Sequence, residues 1–490
     1  MNITMINATY DAQIRGWIDA HREEILEELM TLMRIPSIRS EALPGAPFGT
    51  ECRRALEASA QLFEKLGFPT RTEYDRGYAL TTYGENEKTI GLFGHADVVP
   101  VGDGWIYTEP FSPLVKNGYL IGRGGADDKA GVVIAAYVLA MCRDLGLPVK
   151  SRLLACAGSN EETGMNDIQA FVAHEACPDI SIVPDGDFPC SLGEKGKLIM
   201  WAESDTPFTA IRSFGGGLST NVVLGEVDIT IAPNAALEAQ LREKIAGDGD
   251  YTLTVAEDGT LQLNVKGVGG HASWPQGTVN AGAKAAALLC ECDALNESDR
   301  AILATVRDYV TDPFGGGSGI AHEDPRFGRL SAANGLMETK DGKLRLSMDT
   351  RYGTTMPSEE LKAKLRTVWG SRGWSLPSLE SREAFHVDDN SPVPELIRAI
   401  CTEMTGVDRP CFRMSGGTYS HYLPNGFSCG VSLSAEGAAL GEAAGSDALS
   451  FPEGHGGVHQ PDESLDIEGF FTAMQAIAHV VLQCDELLHN

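Results

Sequence analysis

Three apolar runs in the first half of the chain each lead into an acid or histidine cluster, which restricts both fold and chemistry. Thr89-Ile-Gly-Leu-Phe93 delivers His95-Ala96-Asp97, Arg152 to Cys156 delivers Glu161-Glu162, and Ile180-Ser-Ile-Val183 delivers Asp185. Between the first two, Asp127-Asp128-Lys129 opens a stretch that reads as a helix to about Leu145. Short apolar runs alternating with helices predict an α/β fold with a central mixed, largely parallel sheet flanked by helices. Sheets of that kind build their sites beyond the carboxyl ends of the strands. A further cluster around His459 lies far along the chain and must return to the same edge.

The texture changes in the middle of the sequence. Tyr251-Thr-Leu-Thr-Val255, Leu261-Gln-Leu-Asn-Val265 and Leu344-Arg-Leu-Ser-Met348 alternate as half-exposed antiparallel strands do, with helical stretches such as 281–292 between them. Residues 198–386 therefore read as an α+β domain inserted into a discontinuous one formed by 1–197 and 387–490. Amphipathic helices are expected over about 10–34, 50–66 and 393–404. The Gly- and Ala-rich piece 436–456 reads as a mobile loop near the site.

Charge and cysteine usage narrow the function. A net charge of −29 argues against a nucleic-acid partner, because phosphate neutralisation needs basic patches. The 11 cysteines form no Cys-x-x-Cys pair and suit reduced, mostly buried thiols. The first residues lack the pattern of a signal peptide, and the longest continuous apolar stretch, Val132 to Met141, is too short to span a bilayer. A cytoplasmic protein with no membrane partner is the expectation.

Each cluster taken singly has a bland reading. His95 and Asp97 project to one side of a strand end, so His95 can bind a metal while Asp97 orients its ring; a capped strand terminus would look the same. Asp127 and Asp128 suit a helix N-terminus as well as a cation. Glu161-Glu162 is harder to dismiss, since adjacent acids repel unless a cation or proton compensates them. Asp185 in a Pro-Asp-Gly turn and His459 in a loop would pass unnoticed alone. Together they supply hard oxygen and imidazole donors for two divalent ions, the usual equipment for hydrolysing an amide at neutral pH.

In order, His95-Ala-Asp-Val-Val-Pro100, Trp105 with Pro110-Phe111, Gly122-Arg-Gly-Gly-Ala-Asp-Asp-Lys129, Glu161-Glu-Thr-Gly164 and Pro184-Asp185 resemble the co-catalytic zinc metallopeptidases. That family includes aminoacylases, glutamate carboxypeptidases and PepV-type dipeptidases. Gly193-Glu-Lys-Gly196, Gly269-Gly-His-Ala-Ser273, Asp349-Thr-Arg351 and Gly416-Gly-Thr-Tyr419 resemble the PepV branch in particular. The resemblance implies a zinc-peptidase-like catalytic domain and a lid. It implies one metal held by His95, Asp127 and Asp185, and a second by Asp127, Glu162 and His459, with Asp127 bridging. Glu161 takes the general-base position and His271 the oxyanion-binding position on the lid. Asn221, Arg351, Gly416, Gly417 and Thr418 match positions that grip the substrate's backbone and terminal carboxylate. Ser415 and His421 depart from the family pattern around that loop.

The expected activity is metal-dependent hydrolysis of dipeptides or similar short peptide substrates with a free carboxylate. Zinc is the expected metal, and manganese or cobalt would suit the same donors. The long insert resembles the lid of monomeric members, so His271 is expected to act in its own chain. An N-acyl amino acid deacylase or desuccinylase would use the same metals. A non-catalytic metal-dependent binding protein would have no use for Glu161.

Overall fold

The computed structural model describes residues 5–217, 219–434 and 449–490. The stretch 435–448, which takes in much of the loop expected at 436–456, lies outside the described residues. The chain divides into two compact units. One comprises Met1–Gly193, Val387–Phe412 and Gly417–Asn490; the other comprises Glu194–His386 and Arg413–Gly416.

The first unit is built on a 6-stranded sheet. Its order is Thr70–Glu73, Tyr78–Tyr83, Arg152–Gly158, Thr89–His95, Ile180–Pro184 and Gly426–Cys429. The last four strands run parallel, and the first two form an antiparallel edge. This is the mixed, largely parallel α/β sheet that the apolar runs predict. Every residue of Thr89–His95 is buried, as a strand covered on both faces requires. Its register sets His95 opposite Gly158, so the residues after both strands emerge at one edge.

Two helices pack this sheet into a core. Lys129–Asp144 is buried from Lys129 to Cys142, which explains its nearly uninterrupted apolar sequence. Asp128 caps it, accepting the Gly131 N–H at 3.0 Å. Ile467–His489 is long and apolar enough to cross a membrane by length and composition, yet 78% of its most apolar window is buried inside the protein. It is a core helix, packed on Ala8–Met33, Lys129–Asp144 and Val393–Thr405. None of the 11 cysteines is in a disulfide.

The second unit contains two larger antiparallel sheets. One joins Ile211–Gly215, Glu226–Ile231, Leu261–Lys266 and Tyr251–Val255; the other joins Ser331–Ala333, Lys343–Tyr352, Gly196–Ser204 and Trp374–Arg382. Strict alternation of buried and half-exposed residues along Gly196–Ser204 is the period-2 pattern of a sheet covered on one side. Leu198, Phe214, Leu263, Leu289, Val306 and Trp369 belong to one continuous core. Val222–Val223 pairs with Gly270–His271 in a separate small ladder.

A short hairpin in this unit, Glu323–Asp324 with Gly328–Arg329, hangs on one carboxylate. Asp324 accepts the N–H groups of Arg326 at 2.8 Å, Phe327 at 3.0 Å and Thr355 at 2.9 Å, and the Thr355 hydroxyl at 2.8 Å. Burial alone would raise its pKa, but these donors favour the anion and bring it from 3.8 down to about 2. The sign follows from linkage: a depressed native pKa stabilises above the unfolded value and ceases to as pH falls through the native one. A shift of this size corresponds to about 2 kcal/mol. Asp324→Asn should therefore lose about 2 kcal/mol near neutrality, with the gap to wild type closing between about pH 4 and pH 2. Urea midpoints measured along that pH series test it.

Candidate metal centre

Parallel register brings the acid and histidine clusters of the first unit to one sheet edge. His95 ends its strand, Glu161 and Glu162 follow the turn after Gly158, and Asp185 follows Pro184. Asp127 arrives from the turn before the helix Lys129–Asp144. His459 arrives from the loop before Ser464–Asp466, in a left-handed conformation at φ 63°.

Asp127 is the common neighbour. Its Oδ1 lies 3.0 Å from His95 Nε2, and its Oδ2 lies 3.0 Å from His459 Nε2. Glu162 Oε2 is 3.2 Å from the same His459 nitrogen, while Asp185 Oδ2 is 3.8 Å and Glu161 Oε2 4.0 Å from His95 Nε2. Two groups bring their donor atoms within 4.8 Å of one another: His95 with Glu161 and Asp185, and His95 with Asp127 and Glu162. All six side chains therefore meet in a single cluster.

The donor set fits divalent cations on three observations. First, the Nδ1 of His95 faces the carbonyl of Asp97 at 3.1 Å, which fixes its proton there and turns Nε2 toward the carboxylates. Metal-binding histidines are commonly oriented in this way. Second, the buried Oε1 atoms of Glu161 and Glu162 have no hydrogen-bond partner among the described residues. Buried carboxylate oxygens are normally satisfied, and a cation satisfies them. Third, the negative charges are crowded. Burial and then the Asp185 charge push Glu161 well above the carboxylate range, and burial with Asp127 raises Glu162 to about 7. Burial opposes charge on His95 and His459, but the surrounding carboxylates outweigh it, holding His95 well above the imidazole range and His459 at about 11. Groups that retain protons so strongly mark a pocket built for added positive charge.

Carboxylates outside the cluster hold its backbone. Asp97 faces the His95 ring with its carbonyl at 3.1 Å and its Oδ1 at 3.5 Å from Nδ1. Its carboxylate also accepts the N–H groups of Glu161 at 3.0 Å and Glu162 at 3.2 Å. Asp167 accepts the preceding N–H groups of Ser159 at 2.6 Å and Asn160 at 2.7 Å, and also the Tyr419 hydroxyl. Glu463 accepts from Gly124 at 2.9 Å, Ala126 at 3.0 Å and Asp127 at 3.3 Å, and it pairs with buried Arg123 at 2.6 Å. Asp462 accepts the N–H groups of Ile106 and Tyr107. Asp167, Asp462 and Glu463 escaped the sequence reading. The only signal for the last two was their position just after His459.

The remaining candidates lie apart from this cluster along the chain. His271 and Asn221 belong to the second unit and are brought together there: Val222 pairs with His271, and the Asn221 carbonyl accepts the Ala272 N–H at 2.9 Å. His271 Nδ1 accepts the Ser273 N–H at 3.1 Å, so the neutral ring carries its proton on Nε2. Arg351 is held on several sides by its own chain. Its Nε and Nη2 form a bidentate pair with buried Asp349 at 2.6 and 2.9 Å, and Nη1 donates to the Ser415 carbonyl at 2.7 Å. The Nε–Nη2 edge of the guanidinium is thus taken by Asp349. The loop 416–418 is divided, with Gly416 in the second unit and Gly417 and Thr418 in the first. Thr418 caps a short 3-10 turn at Tyr419–His421.

The sequence profile of Peptidase family M20/M25/M40 matches residues 91–483. The chain belongs to this family. YtjP of Bacillus subtilis, named as a candidate dipeptidase, is 28% identical over 478 residues, covering 94% of this chain and 97% of the relative. A candidate dipeptidase of Staphylococcus saprophyticus is 26% identical, covering 86% and 92%. The fold is shared with the dipeptidase Dug1p of Saccharomyces cerevisiae at a TM-score of 0.60 and 16% identity, covering 99% of each chain. It is also shared with human carnosine dipeptidase 1 at a TM-score of 0.56 and 13% identity, covering 98% and 99%.

Because the Asp97 carboxylate holds the turn that carries Glu161 and Glu162, its removal should act on geometry. Asp97→Ala is expected to lower affinity for divalent cations about 10- to 100-fold, with the far-ultraviolet circular dichroism unchanged. Competitive titration against a chromogenic chelator reads the affinity.

Proposed function

We propose that this chain is a two-metal dipeptidase acting on short peptides with a free C-terminal carboxylate. The observation that carries the reading is the Asp127 carboxylate, reached by His95 through one oxygen and by His459 through the other. In this reading His95, Asp127 and Asp185 hold one divalent ion, and Asp127, Glu162 and His459 hold the other. Two such ions would acidify a water molecule and polarise the scissile carbonyl.

Glu161 is the proton carrier. It shares the His95 cluster, its Oε1 is buried without a partner among the described residues, and its environment favours the protonated form. A carboxylate with raised proton affinity can take a proton from the attacking water at one oxygen and return it to the leaving amine. His271, with its proton on Nε2, supplies a donor for the oxyanion. Asn221 directly precedes the strand that pairs with it and would meet the substrate's backbone. Arg351, held by Asp349, would offer its Nη1–Nη2 end to the terminal carboxylate, with Gly416, Gly417 and Thr418 supplying backbone and hydroxyl contacts. Zinc is the first choice of metal, with manganese or cobalt as alternatives. A monomeric, cytoplasmic enzyme completes the proposal; the free thiols support a reducing compartment.

Chelation should abolish turnover of a dipeptide panel, and separate re-addition of zinc, manganese and cobalt should restore it to different extents. N-acetyl and N-succinyl amino acids in the same assay distinguish a deacylase: faster turnover of those than of any dipeptide overturns the substrate assignment.

Glu161→Gln should reduce kcat by about 1,000-fold or more while both metals remain bound, as counted by elemental analysis. Near-normal turnover in that variant would remove Glu161 from the proton-transfer role.

A further inference from the structure

The second unit contains a cavity of about 470 Å³ whose lining contrasts with the rest of the protein. The chain carries a net charge of −29, yet Lys195, Arg326, Arg329 and Arg413 line this cavity and no acid does among the described residues. Two of the guanidiniums meet rings in place of carboxylates. Arg329 lies over Phe314 at 3.7 Å to the centroid, and Arg413 Nη2 is 3.3 Å from His386 Nε2. Lys195 Nζ donates to the Arg329 carbonyl at 2.7 Å. These contacts of Lys195, Arg329 and Arg413 go to a carbonyl and to rings, which leave the cationic charge in place.

Two hydroxyls in the lining reinforce this. Ser273 and Ser331 are 5% and 2% exposed, and the buried Oγ of each has no hydrogen-bond partner among the described residues. A buried donor without an acceptor is unfavourable, and an anion entering the cavity would supply the acceptor. Phe327 and the exposed ring of Trp274 add apolar surface for a short methylene stem.

The cavity also adjoins, along the chain, residues already assigned to the substrate. Ser273 is two positions from His271, and Ser415, which accepts from Arg351, leads into Gly416. Lys195, Arg329 and Arg413 together carry more charge than one terminal carboxylate would balance. We propose that this cavity is an anion subsite that takes the side-chain carboxylate of an acidic C-terminal residue, making Asp- and Glu-terminated dipeptides the favoured substrates. This rests on the dipeptidase reading and specifies its substrate class.

L-Ala-L-Glu and L-Ala-L-Gln are nearly isosteric, share a terminal carboxylate and differ in side-chain charge. The metal-loaded wild type should show kcat/KM at least about 10-fold higher for Ala-Glu, chiefly through KM, as expected for one charge-assisted contact. Arg329→Gln and Arg413→Gln should each narrow that ratio about 5-fold or more while leaving Ala-Gln turnover within about 2-fold. Retained Ala-Gln turnover also reports that the variants are folded. Equal kcat/KM for the two peptides in wild type overturns the proposal, and so do variants that depress both peptides alike. If the metal-loaded protein hydrolyses neither peptide nor any other dipeptide, the dipeptidase reading fails. Calorimetric titration of the same protein with both peptides then decides the subsite separately: tighter binding of Ala-Glu supports it, and equal or absent binding overturns it.

Discussion

The first unit is organised around the sharing of one carboxylate between two imidazoles from distant parts of the chain. Asp127 meets His95 at the end of a central strand and His459 in a loop close to the C-terminal helix, each at 3.0 Å. For both contacts to form, the parallel sheet must be assembled and the C-terminal segment must have returned to its edge. The site is therefore a product of complete folding of this unit, not of any local motif. The same convergence crowds Glu161, Glu162 and Asp185 together, and the resulting repulsion is relieved by protons or by cations.

A recurring device keeps those charged groups in register. Asp97, Asp167 and Glu463 each accept two or more backbone N–H groups from the turns that carry Glu161, Glu162 and Asp127. Asp324 does the same in the second unit for the hairpin that delivers Arg326 and Arg329 to the cationic cavity. Turns at strand ends have few ladder partners for their N–H groups, and a buried carboxylate satisfies several at once. Precision in both places comes from anions acting as backbone acceptors.

The distinction between ligand and support explains what the sequence disclosed. Thr89–His95, Arg152–Gly158 and Ile180–Pro184 were legible because buried parallel strands leave continuous apolar runs, and their acids follow directly. The pairing of Val222–Val223 with Gly270–His271 was not legible, since two-residue ladders carry no periodicity. Glu463 escaped because an acid accepting N–H groups from residues distant in sequence leaves no local pattern, and Asp167 because its acceptance from Ser159 and Asn160, in the turn before its own helix, follows no fixed spacing. Asp349 beside Arg351 was visible as a pair of letters, but the bidentate bond that engages the guanidinium depends on how the strand Lys343–Tyr352 is buried. The helix Ile467–His489 was missed as a candidate span because a few charges interrupt an otherwise apolar sequence.

These buried acceptors also constrain how the chain can vary. Changing Asp97, Asp167 or Glu463 to the matching amide would turn an NH₂ group toward backbone N–H groups, setting donor against donor where an anion had received several. Among homologues, invariance alone would not separate atoms that perform chemistry from atoms that merely hold a turn; only the direction of the hydrogen bonds does.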